Sequence, residues 1–330
     1  MKKREVAVLV VMSLVLMCGG IFAEGTKEKG GKAKSAWPTK SVQIFVPAKP
    51  GGSTDIHARV FAEYLQEVTG KPFVVVNQAS GGGAVAYEAT RTAKPDGNTL
   101  MIMHTGIVVN TYTGVYPQPM SEFTTLAILQ AMPMQVYGVS ANSKWNNFKD
   151  FIEDAKANPD KYKVGVSLGA ATHFIAGQIM SETGVKLKLV QAGDEVEKVA
   201  ALGGGHIDIA NLSASAASQY IQAGKMKVIG SLDDVADPSY PGFVPIVDQG
   251  YDIAWPTVFC LFGPKGMDPA LVAEINGLTK GFGENAAVQE RLKKLASHFR
   301  YRNVEETAAY IKKEDAKIGV IAKDLGLSKR

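Results

Sequence analysis

The chain has 330 residues, of which 46% are hydrophobic and 21% are charged, a balance typical of a globular protein with a substantial core. Its formal net charge is only +4, and no basic stripe interleaved with aromatic residues is present, which argues against nucleic-acid binding. The length suits two domains of ordinary size.

The N-terminal segment is typical of a secretory signal. A basic start, MKKRE, precedes an apolar run, VAVLVVMSLVLM, that is too short to span a membrane comfortably. Two processing outcomes compete: cleavage after Ala23, or lipidation of Cys18 in LVLMCGG, which resembles a loose bacterial lipobox. We expect residues 1–23 to be a signal peptide and the protein to be periplasmic or extracytoplasmic, either free or anchored through Cys18. Residues 24–36 are rich in Gly, Lys and Glu, and we expect them to form a flexible tether.

Apolar strand-like runs then alternate with amphipathic helical segments. The first series has strands in SVQIFVP, FVVVNQ and LMIMHTG, with helices in DIHARVFAEYLQEVTG and GAVAYEATRTA. This βαβαβ order predicts a parallel sheet covered on both faces. The second series has strands in MQVYGVS, YKVGVS, KLKLVQ, IDIANLS and MKVIGSL, again alternating with helices.

The pattern changes after Pro238 to a loop rich in Pro and Gly, and helices close the chain. This layout predicts two α/β lobes with a ligand cleft between them, joined at a two-segment hinge by strands near residues 135–140 and 245–258. The terminal helices should pack on the first lobe. We assign residues 37–138 and 252–330 to lobe 1, and residues 139–251 to lobe 2.

The junction VPAKPGGSTD, between the first strand and its helix, is a candidate anion site. Glycines allow close approach of the backbone, Ser or Thr can cap the helix, and the remaining N–H groups and the helix dipole attract negative charge. An ordinary capped β–α turn explains the pattern equally well. Asp55 would favour a ligand with an ammonium group if it faced the cleft. The candidate ligand-binding residues here are Lys49, Gly51, Gly52, Ser53 and Thr54.

The junction GVSLGAATHF has the same form in the second series, with Thr172 as a candidate cap, and it has the same plain-turn alternative. Two such loops, one in each lobe, favour a shared cleft, because the carboxyl ends of the strands of facing lobes converge there. The candidates are Gly169, Ala170, Ala171, Thr172 and His173. Residues that follow or end other strands, Thr105, Asn211 and Ser213, are expected to line the same cleft.

Two enzyme patterns are also present. Gly165-Val166-Ser167-Leu168-Gly169 matches the Gly-x-Ser-x-Gly nucleophile elbow, so a secreted serine hydrolase using Ser167, with Asp208 or Asp248 and His298, is the alternative function. Residues 81–86 contain a weak Gly-x-Gly-x-x-Ala dinucleotide pattern without a ribose-binding acid.

The histidines show no metal-ligand spacing, His57 is expected at a surface or boundary position, and Cys260 is expected to be a buried inert thiol. We therefore expect no metal or cofactor.

Several segments together resemble the solute-binding proteins of tripartite tricarboxylate transporters, the Bug family. They are VPAKPGGSTDIHAR, VVNQASGGGAVAYEATRTAKPDGNTLM, GVSLGAATHFIAGQIM, AALGGGHIDIA and IQAGKMKVIG. The resemblance implies a periplasmic-binding-protein fold that closes on a small organic carboxylate and delivers it to the permease subunits of a membrane transporter, without catalysis and as a monomer. It also implies that the two junctions described above hold a carboxylate. The chain departs from the family pattern at Lys49, at Gln78 and in VQAGDEVEK.

Overall fold

The computed structural model describes residues 37–131, 134–237, 239–295 and 297–329. The predicted signal peptide and tether, with Cys18, lie outside these residues. The described residues contain eleven strands and ten α-helices on two mixed sheets, which confirms the prediction of two α/β lobes. Among the described helices, none combines the length and the hydropathy needed to span a bilayer.

The strands divide into two separate sheets. The first contains β1 (Val42–Val46), β2 (Phe73–Asn77), β3 (Thr99–His104), β4 (Phe123–Ala131), β10 (Val258–Pro264) and β11 (His298–Arg302). The second contains β5 (Gln135–Ser140), β6 (Lys163–Val166), β7 (Lys188–Gln191), β8 (Ile209–Ser213) and β9 (Met226–Ser231). The strand orders are β11-β4-β10-β3-β1-β2 and β7-β6-β8-β5-β9.

The helices cover both faces of each sheet. In the first lobe they are α1 (Ser53–Thr69), α2 (Ala84–Arg91), α3 (Gly106–Thr113), α8 (Pro269–Glu284), α9 (Ala286–Lys294) and α10 (Val304–Asp324). In the second they are α4 (Phe148–Ala157), α5 (Ala171–Thr183), α6 (Glu195–Gly203) and α7 (Ala214–Gln222). Because both faces are covered, the central strand β10 is buried at every residue.

Neither sheet is purely parallel, although the strand-helix alternation predicted that arrangement. Strands β1, β2 and β3 are parallel, as are β6, β7 and β8. Strand β10 returns from late in the chain and lies antiparallel between β3 and β4, and β5 lies antiparallel between β8 and β9. The local pattern could not show these insertions because the pairing is long-range.

The prediction that a strand at 135–140 connects the lobes is wrong, because these residues form β5, which hydrogen-bonds to β8 and β9 inside the second sheet. The passage from the first sheet to the second therefore precedes Gln135. In the described part of the second passage, between β9 and β10, no strand forms over 245–257; a short 3-10 turn, Val247–Gln249, occupies part of it.

The first passage joins the carboxyl edges of the two sheets. Ala131, the last residue of β4, pairs with Val258, whose carbonyl accepts the N–H of Thr105 after β3 (3.2 Å). Three peptide steps lead from Ala131 to Met134 and reach at most about 11 Å. The next residue, Gln135, pairs with Ser213 at the end of β8. The loops that follow the parallel strands of both lobes therefore lie on edges that this passage connects.

The C-terminal helix α10 packs on both lobes, rather than on the first alone as expected. It contacts α3 and β4 of the first lobe and α5 of the second. It also holds the second passage: Lys317 Nζ donates to the carbonyl of Ala254 (3.3 Å) and lies 4.8 Å from the centre of the Trp255 ring, and Tyr310 donates to the carbonyl of Pro256 (3.3 Å).

Candidate functional site

The first candidate loop ends in an uncapped helix. Gly52 is the N-cap residue of α1, and no side chain caps this helix, so the expected capping role of Ser53 or Thr54 is wrong. The N–H groups of Ser53, Thr54 and Asp55 find no acceptor among the described residues, and Ile56 is the first to bond, to the carbonyl of Gly52 (3.0 Å). The helix start therefore presents free donors and the positive end of its dipole.

Asp55 does not face the cleft as a free carboxylate. Only 2% of the residue is exposed, and its oxygens accept hydrogen bonds from the N–H of Gly51 (2.8 Å), from Arg59 (3.0 and 2.9 Å) and from Asn77 Nδ2 (3.0 Å). Burial alone would raise the pKa of Asp55, but these bonds outweigh it and lower the pKa below its ordinary value of 3.8. Asn77 also donates to the carbonyl of Ala48 (3.2 Å), so this network fixes both ends of the loop.

The glycine run at residues 81–83 packs against the first loop. All three glycines have positive φ, and a Cβ on Gly83 would lie 2.6 Å from Cβ of Pro47. Only glycine allows this approach, so the run has a packing role here. Lys49, at the outer side of the loop, is exposed.

Two histidines lie beneath this edge of the first sheet. His57 is 3% exposed and stacks on Phe259 (4.7 Å between ring centres), so the expected surface or boundary position is wrong. Its Nδ1 lies 2.7 Å from the carbonyl of Ser53, and burial lowers its pKa more than this hydrogen bond raises it. His104 Nδ1 accepts the N–H of Gly106 (3.0 Å), and burial lowers its pKa to about 4. Thr105, which follows, is buried and is the N-cap residue of α3, although its side chain makes no capping bond.

The second candidate loop satisfies most of its own N–H groups. Ser167 donates to Thr172 Oγ1 (2.8 Å), Leu168 to Gln191 Oε1 (2.9 Å) and Gly169 to His173 Nδ1 (3.1 Å). Thr172 is therefore not the cap of α5 that the sequence suggested; it accepts from the strand end, and its hydroxyl hydrogen remains free to donate.

Helix α5, like α1, begins without a capping side chain, and Ala170 is its N-cap residue. The N–H groups of Ala171 and Thr172 have no acceptor within the described part of the chain. Ala170 is exposed, and Ala171, Thr172 and His173 are half-buried, so the start of this helix is accessible. Of the other eight described helices, α2 and α3 also lack a capping side chain, and six carry one, from Asn147, Asp194, Ser213, Asp268, Asn285 and Asn303.

Ser213 and Asn211, at the end of β8, differ in whether their side chains are free to bind a ligand. Ser213 caps α7 and is bonded to Glu195 through both its N–H (2.5 Å) and its Oγ (3.1 Å), which is a turn role. Asn211 is 3% exposed, and its Nδ2 has no hydrogen-bond partner among the described residues. Asn211 thus keeps an unused donor close to the carboxyl edge.

Ser167 and Asp208 do not come together as the nucleophile and acid of a serine hydrolase. The hydroxyl of Ser167 donates to the carbonyl of Gly193. The carboxylate of Asp208 accepts the N–H of Lys163 at the opposite end of β6 (2.8 Å), roughly 13 Å away along the strand. His298 lies on β11 of the other sheet.

The thiol of Cys260 and the largest described cavity lie apart from the two candidate loops. Cys260 is buried in β10, and burial raises the pKa of its thiol. No cluster of three or more His, Cys, Asp or Glu able to hold a metal occurs within the described ranges. A cavity of about 910 Å³ lies between α5, α10 and the second passage, and none of the sequence-predicted site residues lines it.

Comparison with known proteins gives a consistent result. Residues 57–327 match the model of the tripartite tricarboxylate transporter family receptor. Protein BugT of Bordetella pertussis is 26% identical over 274 residues, which cover 80% of this chain and 83% of BugT.

Solved structures agree in fold. A TctC solute-binding protein from Polaromonas has a TM-score of 0.79 at 24% identity and covers 87% of this chain and 99% of its own. A protein of R. palustris with adipate has a TM-score of 0.66 at 23% identity, covering 88% and 99%. At these identities the likeness concerns the fold.

Proposed function

Because the chain belongs to the tripartite tricarboxylate transporter receptor family, we propose that it is a periplasmic solute-binding receptor. It captures a small carboxylate by closure of its two lobes and delivers it to the permease subunits of a tripartite tricarboxylate-type membrane transporter. Lipidation of Cys18 stays a prediction; comparing the intact mass of the wild-type protein and a C18A variant from the membrane fraction would test it.

The observation that carries the proposal is that the helix starts at the two candidate junctions, one in each lobe, are both uncapped. The first turns of α1 and α5 leave the N–H groups of Ser53, Thr54, Asp55, Ala171 and Thr172 without acceptors. Both helices follow the carboxyl ends of parallel strands, on the edges that the first passage connects. A carboxylate is the ligand group that suits such donors, because the ends of two helix dipoles add to the hydrogen bonds.

The expected free energy of carboxylate binding is sufficient for a transport receptor. Hydrogen bonds to a charged acceptor contribute about 1.5–3 kcal/mol each. Micromolar binding needs about 8 kcal/mol after the cost of ordering the ligand and the lobes. Several such bonds, together with a dipole contribution of up to about 2 kcal/mol, reach that figure.

Ser53→Pro tests the first helix start. Proline is favoured at the first helical position, and Gly52 has the extended backbone (φ −74°, ψ 165°) that a following proline requires, so the variant should fold while losing one donor. Ala286→Pro at the first position of α9, a helix capped by Asn285, is the matched control. Calorimetry with adipate and malate should show binding that Ser53→Pro weakens and Ala286→Pro does not.

Thr172→Val tests the second loop: it keeps the shape and the backbone N–H but removes the hydroxyl, which accepts the N–H of Ser167 and has a hydrogen free to donate to the ligand. We expect weaker binding of the same acid. If the wild-type protein binds no member of a broad panel of mono-, di- and tricarboxylates, the proposed function is wrong. Labelling by a fluorophosphonate that disappears in Ser167→Ala would instead support the hydrolase alternative.

A further inference from the structure

Lys198, on α6, has a buried stem and an ammonium without a partner among the described residues. Only 4% of the residue is exposed, and its side chain forms no hydrogen bond or ion pair with any residue that the structure describes, although its N–H donates to the carbonyl of Asp194 (3.0 Å). Its Nζ is not among the fully buried unpaired atoms, so the stem is covered while the ammonium reaches solvent, where a ligand can meet it. Burial lowers its pKa, while the charges of Glu195 and Asp194 favour the protonated form.

The position of Lys198 directs its ammonium towards the second candidate loop. Its Cγ lies 3.7 Å from where a Cβ on Gly165 would be, so its stem crosses β6 two residues before Ser167. The start of α6 lies against that loop, because Ser167 donates to the carbonyl of Gly193. Helical side chains tilt towards the N-terminus of their helix, and for Lys198 this is the carboxyl edge of the sheet.

The acidic residues around Lys198 are committed to other donors. Asp194 accepts the N–H of Glu197 (2.8 Å), and Glu197 accepts the N–H of Gly193 (2.6 Å). Glu195 accepts from Ser213 through both its oxygens. These carboxylates hold the loop and helix starts in place, whereas the ammonium of Lys198 has no such task in the described residues.

We propose that Lys198 is a specificity-determining residue of the ligand site, whose ammonium binds the second carboxylate of a dicarboxylate. This inference rests on the proposed function, in which the first carboxylate is held at the starts of α1 and α5. Beyond that function, the distal end of the ligand is anionic, and Lys198 is the residue that selects it.

Three acids of equal chain length test the proposal, because they differ only in the distal group: adipate (anionic), hexanoate (apolar) and 6-aminohexanoate (cationic). Calorimetry compares the wild-type protein with Lys198→Met, and with Lys186→Met as a control that removes an exposed lysine before β7. We expect adipate to bind the wild type most tightly. Lys198→Met should weaken adipate about tenfold or more and change hexanoate less than about twofold, because only adipate carries a distal charge that the ammonium can bind.

Other outcomes contradict the proposal. If Lys198→Met weakens adipate and hexanoate equally, or leaves adipate unchanged, Lys198 does not read the distal group. If 6-aminohexanoate binds most tightly and Lys198→Met strengthens it, the acidic residues set the specificity instead. In these cases Ser53→Pro and Thr172→Val still test the receptor function independently. If none of the three acids binds the wild type, the specificity proposal is wrong, and the wider panel then decides the function.

Discussion

The network around Asp55 should be essential for holding the first loop. Asp55→Ala removes the acceptor of three donors: the N–H of Gly51, the amide of Asn77 and the guanidinium of Arg59. At about 1.5 kcal/mol for each of the first two bonds to a charged acceptor, the expected loss is about 3 kcal/mol. The Arg59 side chain is 48% exposed and can turn to water, so its share is discounted.

Urea unfolding at pH 7 measures this loss. Asp55→Asn, which keeps the volume but only one acceptor oxygen, should lose roughly half as much, and Asp324→Ala at the exposed end of α10 should change stability by less than about 0.5 kcal/mol. A loss below about 1 kcal/mol in Asp55→Ala would refute this account of the loop.

The same comparison has a defined pH dependence. The pKa of Asp55 is lowered in the folded protein, so its stabilisation is complete above the unfolded pKa and is lost as the pH falls through the folded value. The difference between the wild type and Asp55→Ala should therefore be constant above pH 5 or so and narrow below about pH 4. A difference that does not narrow in acid would show that the charge is not what holds the loop.

Three further changes follow from single observations. Tyr137→Phe should raise stability by about 1 kcal/mol in urea unfolding, because the buried hydroxyl has no partner among the described residues; destabilisation would contradict this. Gly83→Ala should cost about 2 kcal/mol or more and weaken ligand binding, because φ is +97° and the new methyl would meet Pro47. Burial raises the pKa of Asp233 to about 7, so the wild type should lose stability as the pH rises from about 4 to 7, and Asp233→Asn should remove that slope; parallel pH profiles would refute it.

Strongly periodic elements could be predicted from the sequence, and elements defined by distant partners could not. Helix α1 has apolar residues at helical spacing, and β1 and β6 are short runs rich in β-branched residues, so the local sequence predicts all three. Strand β10 reads only as an apolar run, since its neighbours β3 and β4 lie more than a hundred residues away in the chain. Helix α3, GIVVNTYT, is largely buried and rich in β-branched residues, so its pattern does not mark a helix.

The same limit applies to the candidate site. Glycines and small residues marked both loops, because these residue types suit a strand-to-helix turn wherever it occurs. The role of Asp55 could not be predicted, since it depends on Asn77 from the next strand. Lys198 was missed for a related reason: a lysine in a polar helix start looks exposed, and only the packing of its stem over Gly165 shows that it is buried.

Because α10 packs on the second passage, the intrinsic fluorescence of Trp255 can report on lobe closure. Of the three tryptophans in the sequence, Trp37 donates to Gly97 and Trp145 packs on Phe151, each inside one lobe. Trp255 alone lies in the segment between the lobes, 5% exposed and beside the Lys317 ammonium, a charge able to alter indole emission. A shift of intrinsic fluorescence during lobe closure would therefore arise from one indole, and the motion could be followed in real time without an attached dye.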